Sequence, residues 1–227
     1  MSTDGEWQVH EESLPLLSAT YGKGRVTMVA MGLKDGGLVV VSPGKRGDDA
    51  RKNLEKWGRP RFLLAPNSFH NAGLGEWKQA YPDAQVVAHP KCHARLAKQA
   101  PDAGAIVDTG PLAAALPDGA RVFGPPMAKQ GETWVAVERG DLRAIVVCDA
   151  VINMNKVAFA FQVLGFRARL MQNPFFKTLF LTDRRAYKAW MLDELRAHPP
   201  NLFIPSHGDP LRGDHVAADL ERAIENG

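Results

Sequence analysis

Cysteine is scarce in this sequence. There are two, Cys92 and Cys148, in 227 residues. They stand far apart and form no Cys-x-x-Cys pair, so neither a disulfide framework nor a paired-thiolate metal site is expected. They read as reduced thiols, and the chain is expected to be cytoplasmic. Long apolar runs are missing too. No stretch of about eighteen apolar residues occurs, which excludes a transmembrane helix. Met1 to His10 is polar and acidic and is not expected to be a signal peptide. No Lys/Arg-rich block stands out, and a formal net charge of +3 is too small and too scattered to argue for nucleic acid. Internal repeats, low-complexity tracts and a clean linker are also lacking.

What is present is ordinary for a globular chain: 45% hydrophobic and 23% charged residues. A chain of this size buries a large core without disulfides. The expected organisation is a single domain over residues 1–227, with an N-terminal surface arm (1–20) and a Phe-rich insertion (153–181). Arg25 to Met31 and Leu38 to Val41 read as strands joined by the Asp35-Gly36-Gly37 turn. Asp48 to Trp57 and Gly75 to Tyr81 read as helices. They alternate with strands at Arg61 to Ala65, Ala84 to Ala88 and Ala105 to Val107. Glu132 to Glu138 and Leu142 to Cys148 read as a hairpin around Arg139-Gly140-Asp141. Asp183 to His198 and Asp214 to Asn226 read as helices, the first with Asp183 near its start. Hairpins mixed with strand–helix alternation predict mixed parallel and antiparallel pairing.

Three strand ends carry groups with chemistry. Phe62 to Ala65 leads to His70, Ala144 to Cys148 leads to Asp149, and Leu202 to Ile204 leads to Pro205-Ser206-His207-Gly208-Asp209-Pro210. Strand ends are where α/β sheets place ligand-binding groups. Convergence of His70, Asp149 and His207 is therefore expected. The alternative is structural: His70 bonding Asp149, His207 bonding a backbone carbonyl, and Asp149 capping a turn.

These residues also carry a resemblance. RVTMVAMGLKDGGLVVVSPG, LLAPNSFHNAG, IVVCDAV and IPSHGDP resemble, in order, the opening hairpin, the first histidine loop, the bridging-aspartate strand and the terminal histidine motif of the metallo-β-lactamase superfamily. PNSFHNAGLGEWKQAYPDA is similar to a divergent branch with Asn-x-x-His in place of H-x-H-x-D-H. The resemblance implies an αββα four-layer sandwich with mixed sheets. It also marks what is missing. Anchored on His70, the signature positions hold Ala65, Asn67 and Phe69, and Gly124-Pro125-Pro126-Met127-Ala128 lacks the usual third histidine. A binuclear zinc hydrolase of the usual kind is not implied. At most one metal ion, held by His70, Asp149 and His207, is.

Two histidines and a carboxylate suit zinc, with an open position for water, or iron(II). Zinc there would lower the pKa of its water to about 7 and support hydrolysis of an ester, thioester, lactone or amide in a small, partly apolar substrate. The expected catalytic residues are Asp149 and Asn67, with Asn67 or Ser68 donating to a developing oxyanion. Two rivals stand beside this. One is a metal-free, non-catalytic scaffold binding a ligand or protein through the Phe-rich insertion. The other is a mononuclear iron redox enzyme. Weaker candidates are a His89/His93 pair, a nucleophilic Cys148, and Glu76 as an orienting partner for His70. The Phe-rich stretch reads as a lid, a homodimer contact, a membrane-surface contact or a plain buried helix pair.

Overall fold

The computed structural model describes residues 6–22, 26–45 and 47–227. Arg25, which the sequence reading placed at the start of a strand, and residues 1–5 of the expected arm lie outside them. The chain divides into two compact units, Met1–Val122 and Phe123–Gly227.

The first unit is built on a seven-stranded sheet whose strands lie side by side in chain order. These are β1 (Gln8–Glu11), β2 (Leu16–Tyr21), β3 (Val26–Gly32), β4 (Leu38–Val41), β5 (Pro60–Ala65), β6 (Gln85–Ala88) and β7 (Ile106–Val107). The first four pair antiparallel and the rest parallel. The switch follows from the connections. Short turns allow only antiparallel return, whereas crossovers carrying α1 (Asp48–Leu54), α2 (Leu74–Ala80) and α3 (His93–Gln99) bring the chain back in parallel. A further helix, α4 (Gly110–Ala115), was not foreseen; its Ala-rich sequence has little periodicity to reveal it. Leu38 to Val41 and Phe62 to Ala65 are buried throughout, as continuous apolar runs predict for a two-sided strand.

Residues 6–20 correct the expected surface arm. They supply β1 and β2, and Leu16, Leu17 and Ala19 are core residues. Leu16 and Leu17 open a six-residue ladder against β3, from Leu16↔Met31 to Tyr21↔Val26.

The chain passes into the second unit within β8 (Ala120–Phe123). That strand closes a five-stranded sheet of order β14-β13-β10-β9-β8. Its members are β9 (Trp134–Arg139), β10 (Leu142–Val147), β13 (Leu202–Pro205) and β14 (Leu211–Arg212). The β9–β10 hairpin turns at Arg139-Gly140-Asp141 as expected, and β13 joins β10 in parallel. Between them, β11 (Val151–Asn153) pairs with β12 (Leu170–Gln172), with α5 (Phe159–Val163) in the excursion between the two. Two helices complete the unit, α6 (Arg184–Ala197) and α7 (Val216–Glu225). Asp183 caps α6: its carboxylate accepts from the N–H groups of Arg185 and Ala186 at 2.8 and 3.0 Å. Tyr187, Met191 and Leu195 on α6, and Val216, Leu220 and Ile224 on α7, recur every fourth residue and are fully buried with Trp134 and Phe203. Each such side chain contributes about 1.5–3 kcal/mol of apolar transfer. That packing holds the β10 and β13 ends in place.

Candidate functional site

His70 belongs to the loop after β5. Asn67 shapes this loop: its carboxamide oxygen accepts from the N–H groups of Phe69 and His70 at 2.8 and 3.1 Å, an Asx-type turn. The His70 ring is buried, with Nδ1 2.9 Å from Ser42 Oγ, and Ser42 Oγ is 3.1 Å from the Tyr21 hydroxyl. Ser42 directly follows β4 and has φ +56°, the only non-glycine left-handed residue among those described. Such a conformation costs on the order of 1–3 kcal/mol and persists only where the surroundings enforce it. Here the Ser42 N–H donates to Leu64 O across the parallel β4–β5 pair. The loop is then docked against Pro43 and Gly44. Gly73 N–H donates to Pro43 O and Trp77 Nε1 to Gly44 O, and a Cβ on Gly73 would lie 2.3 Å from Gly44 O. When Ser42 Oγ accepts from Nδ1–H, the lone pair needed for a metal is on Nε2.

Asp149 and His207 come together within the second unit. Val147 on β10 and Pro205 on β13 are paired, and the two side chains each lie two residues beyond that pair. His207 Nε2 is 3.0 Å from Asp149 Oδ1. The His207 turn is fixed from below by Asn153. Its N–H donates to His207 O, its carbonyl accepts from Asp209 N–H, and its Nδ2 donates to Asp209 O. Gly208 is obligatory here: φ is +98° and a Cβ would fall 1.7 Å from Asn153 O.

A residue the sequence reading passed over lies beside Asp149. Glu132, just before β9, is 2% exposed. Its Oε1 accepts from Trp134 Nε1 at 2.6 Å and from Ala150 N–H at 3.0 Å, and the carboxyl also bonds the Asp149 backbone. One side chain thus holds the turn carrying Asp149. Burial, and then repulsion from Asp149, push Glu132 up to about 8, against the hydrogen bonds that favour its anion. The signal was an acid just ahead of the apolar run Trp134 to Val137. Burial also raises the Cys148 thiol well above its ordinary value, reinforced by Asp149 and Glu132. Cys148 is therefore a poor nucleophile at neutral pH.

Two groups of side chains have donor types suited to a metal: His70, Asp149 and His207, and Glu132, Cys148 and Asp149. The second group would have to lose two protons held firmly at neutral pH. The donors of the first group, two imidazoles and a carboxylate, are of the types that zinc and iron accept. His89 and His93 are occupied locally. His89 Nδ1 accepts from Lys91 N–H, and His93 Nε2 lies 3.1 Å from Ala88 O. They form a surface helix start. Glu76 lies half-buried in the first turn of α2.

No protein-family model and no curated protein sequence matches the chain. Solved structures do. The DIM-1 metallo-β-lactamase exposed to ceftazidime superposes with TM-score 0.63 at 12% identity, covering 100% of this chain and 99% of that one. The metallo-β-lactamase FIM-1 from Pseudomonas aeruginosa in its mono-zinc form gives 0.62 at 10% identity, covering 99% and 96%. A metal-soaked Flv1 flavodiiron core from Synechocystis sp. PCC6803 gives 0.61 at 12%, covering 100% of this chain and 61% of that one. At these identities the likeness shows the fold alone. The chain has the metallo-β-lactamase fold, the mixed α/β class expected from its sequence.

Proposed function

We propose that the chain is a hydrolase of metallo-β-lactamase fold holding one metal ion through His70, Asp149 and His207. Its substrate would be a small, partly apolar molecule with an ester, thioester, lactone or amide bond. The observation that carries this reading is the Asp149–His207 pair on adjacent parallel strand ends, in a turn braced by buried Glu132. A bound ion there supplies Lewis acidity and an activated water. The chain's own residues do the rest. Ser42 holds the His70 ring through Nδ1. Asp149 supplies the carboxylate ligand, while Glu132 beside it is pushed up to about 8 and stays neutral at pH 7. The donor end of the Asn67 amide serves a developing oxyanion, with its oxygen end already committed to the loop. Two buried free thiols fit a reducing, cytoplasmic setting.

The direct 3.0 Å contact between His207 and Asp149 also favours a second reading, a metal-free scaffold in which the two satisfy each other. Elemental analysis of protein purified without chelator separates them. About one zinc per chain, lost in His207→Ala, supports the hydrolase. Iron in its place supports a redox centre in the same ligands. No metal, with thermal stability unmoved by added zinc, supports the scaffold, because a ligand of the native state must raise its stability.

A further inference from the structure

The largest concentration of exposed apolar side chains lies on the excursion between β11 and α6. Phe159, Phe161, Val163, Leu164 and Leu179 all stand out from the second unit, with Phe159 79%, Val163 72% and Leu179 57% exposed. Elsewhere among the described residues only Val9, Phe69 and Val107 are large, apolar and exposed. The five are not stray loop residues. The β11–β12 ladder closes the base of the excursion, from Val151↔Gln172 to Asn153↔Leu170. Phe161, Phe166 and Phe175 stack edge to face with centroids 5.5 and 5.1 Å apart, and Phe176 is buried against Tyr187 in the core. Arg167 Nη1 donates to the carbonyls of Gln162 and Phe166 and ties the loop together. A built platform therefore presents these side chains to solvent. Phe159 and Val163, four apart on α5, share one face.

The charge of the same stretch is one-sided. From Ala150 to Thr182 the sequence has Lys156, Arg167, Arg169 and Lys177 and no aspartate or glutamate. Lys156, Arg167 and Arg169 are exposed. Exposed aromatic and aliphatic tips in a stretch whose only charged residues are cations match an interface of acyl chains beneath anionic headgroups. They do not match a second copy of themselves, since a symmetric contact would bring like charges together. No helix among the described residues is long and apolar enough to cross a membrane, so any attachment through this platform lies at the surface.

We propose that the platform formed by residues 156–181 docks the protein on anionic phospholipid bilayers, with Phe159, Val163 and Leu179 entering the interface and Lys156 and Arg169 facing the headgroups. The idea is independent of whether the chain binds metal. The test is co-sedimentation of the full chain with vesicles of phosphatidylcholine alone and of phosphatidylcholine mixed with phosphatidylglycerol. Binding is expected only to the mixed vesicles, and it should weaken as salt rises. Each neutralised cation should weaken it about fivefold, so K156Q/R169Q should lose roughly 30-fold. F159S/V163S should lose on the order of tenfold or more. Because all four side chains are exposed, thermal unfolding should stay at the wild-type value in both variants. Failure of the wild-type chain to bind mixed vesicles overturns the proposal. So does equal binding by the variants, or a gel-filtration dimer that F159S/V163S dissociates, which would assign the platform to self-association instead.

Discussion

Glu132 offers a quantitative test of the site's electrostatics. Burial and the neighbouring Asp149 push its carboxyl up to about 8 in the folded chain, from an ordinary value of 4.5. Below pH 4.5 folded and unfolded chains both hold the proton, and the group leaves stability unchanged. Between 4.5 and about 8 the unfolded chain has released it and the folded chain has not. Stability must then fall with rising pH, by about 1.4 kcal/mol per unit. Above that window the loss is complete and constant, on the order of 5 kcal/mol. Glu132→Gln cannot titrate but keeps an oxygen for Trp134 Nε1 and the Ala150 N–H. Urea unfolding of metal-free protein, followed by tryptophan fluorescence across this window, should therefore show the variant gaining steadily on the wild type. Parallel curves for the two would refute the reasoning. Glu132→Ala separates charge from hydrogen bonding. It takes the acceptor from three donors, Trp134 Nε1 and the backbone of Ala150 and Asp149, and should lose about 1–3 kcal/mol for each one left buried, at every pH.

Other outcomes follow from single contacts. Ser42→Ala removes the bond to His70 Nδ1 and should weaken metal affinity about 10–100-fold, read by competition with a chelating dye, with a smaller effect on folding. Gly208→Ala drives a Cβ into the Asn153 carbonyl at a left-handed residue. It should cost more than about 4 kcal/mol or prevent folding, as measured by denaturant titration. Asp183→Ala should lower stability by about 1 kcal/mol through loss of the α6 cap. Cys148 should resist an aromatic disulfide reagent in native protein and react on unfolding; rapid native labelling would contradict its buried, protonated state.

The sequence alone determined the elements whose cause is local. Apolar runs at Leu38 to Val41 and Phe62 to Ala65 marked buried strands, Asp183 marked a helix start, and the apolar runs ending at Ala65, Cys148 and Ile204 pointed to His70, Asp149 and His207 as strand-end groups. Those signals act within a few residues, and one-dimensional order carries them. Only tertiary structure decided that Leu16 to Tyr21 is a ladder strand, since pairing depends on β3. It also decided that a lone glutamate before β9 braces the Asp149 turn, since burial and the nearby carboxylate belong to the folded chain. The Ser42 hydroxyl reaching His70 lies 28 positions away in the chain. Such contacts come from sheet register and packing, which sequence proximity does not encode.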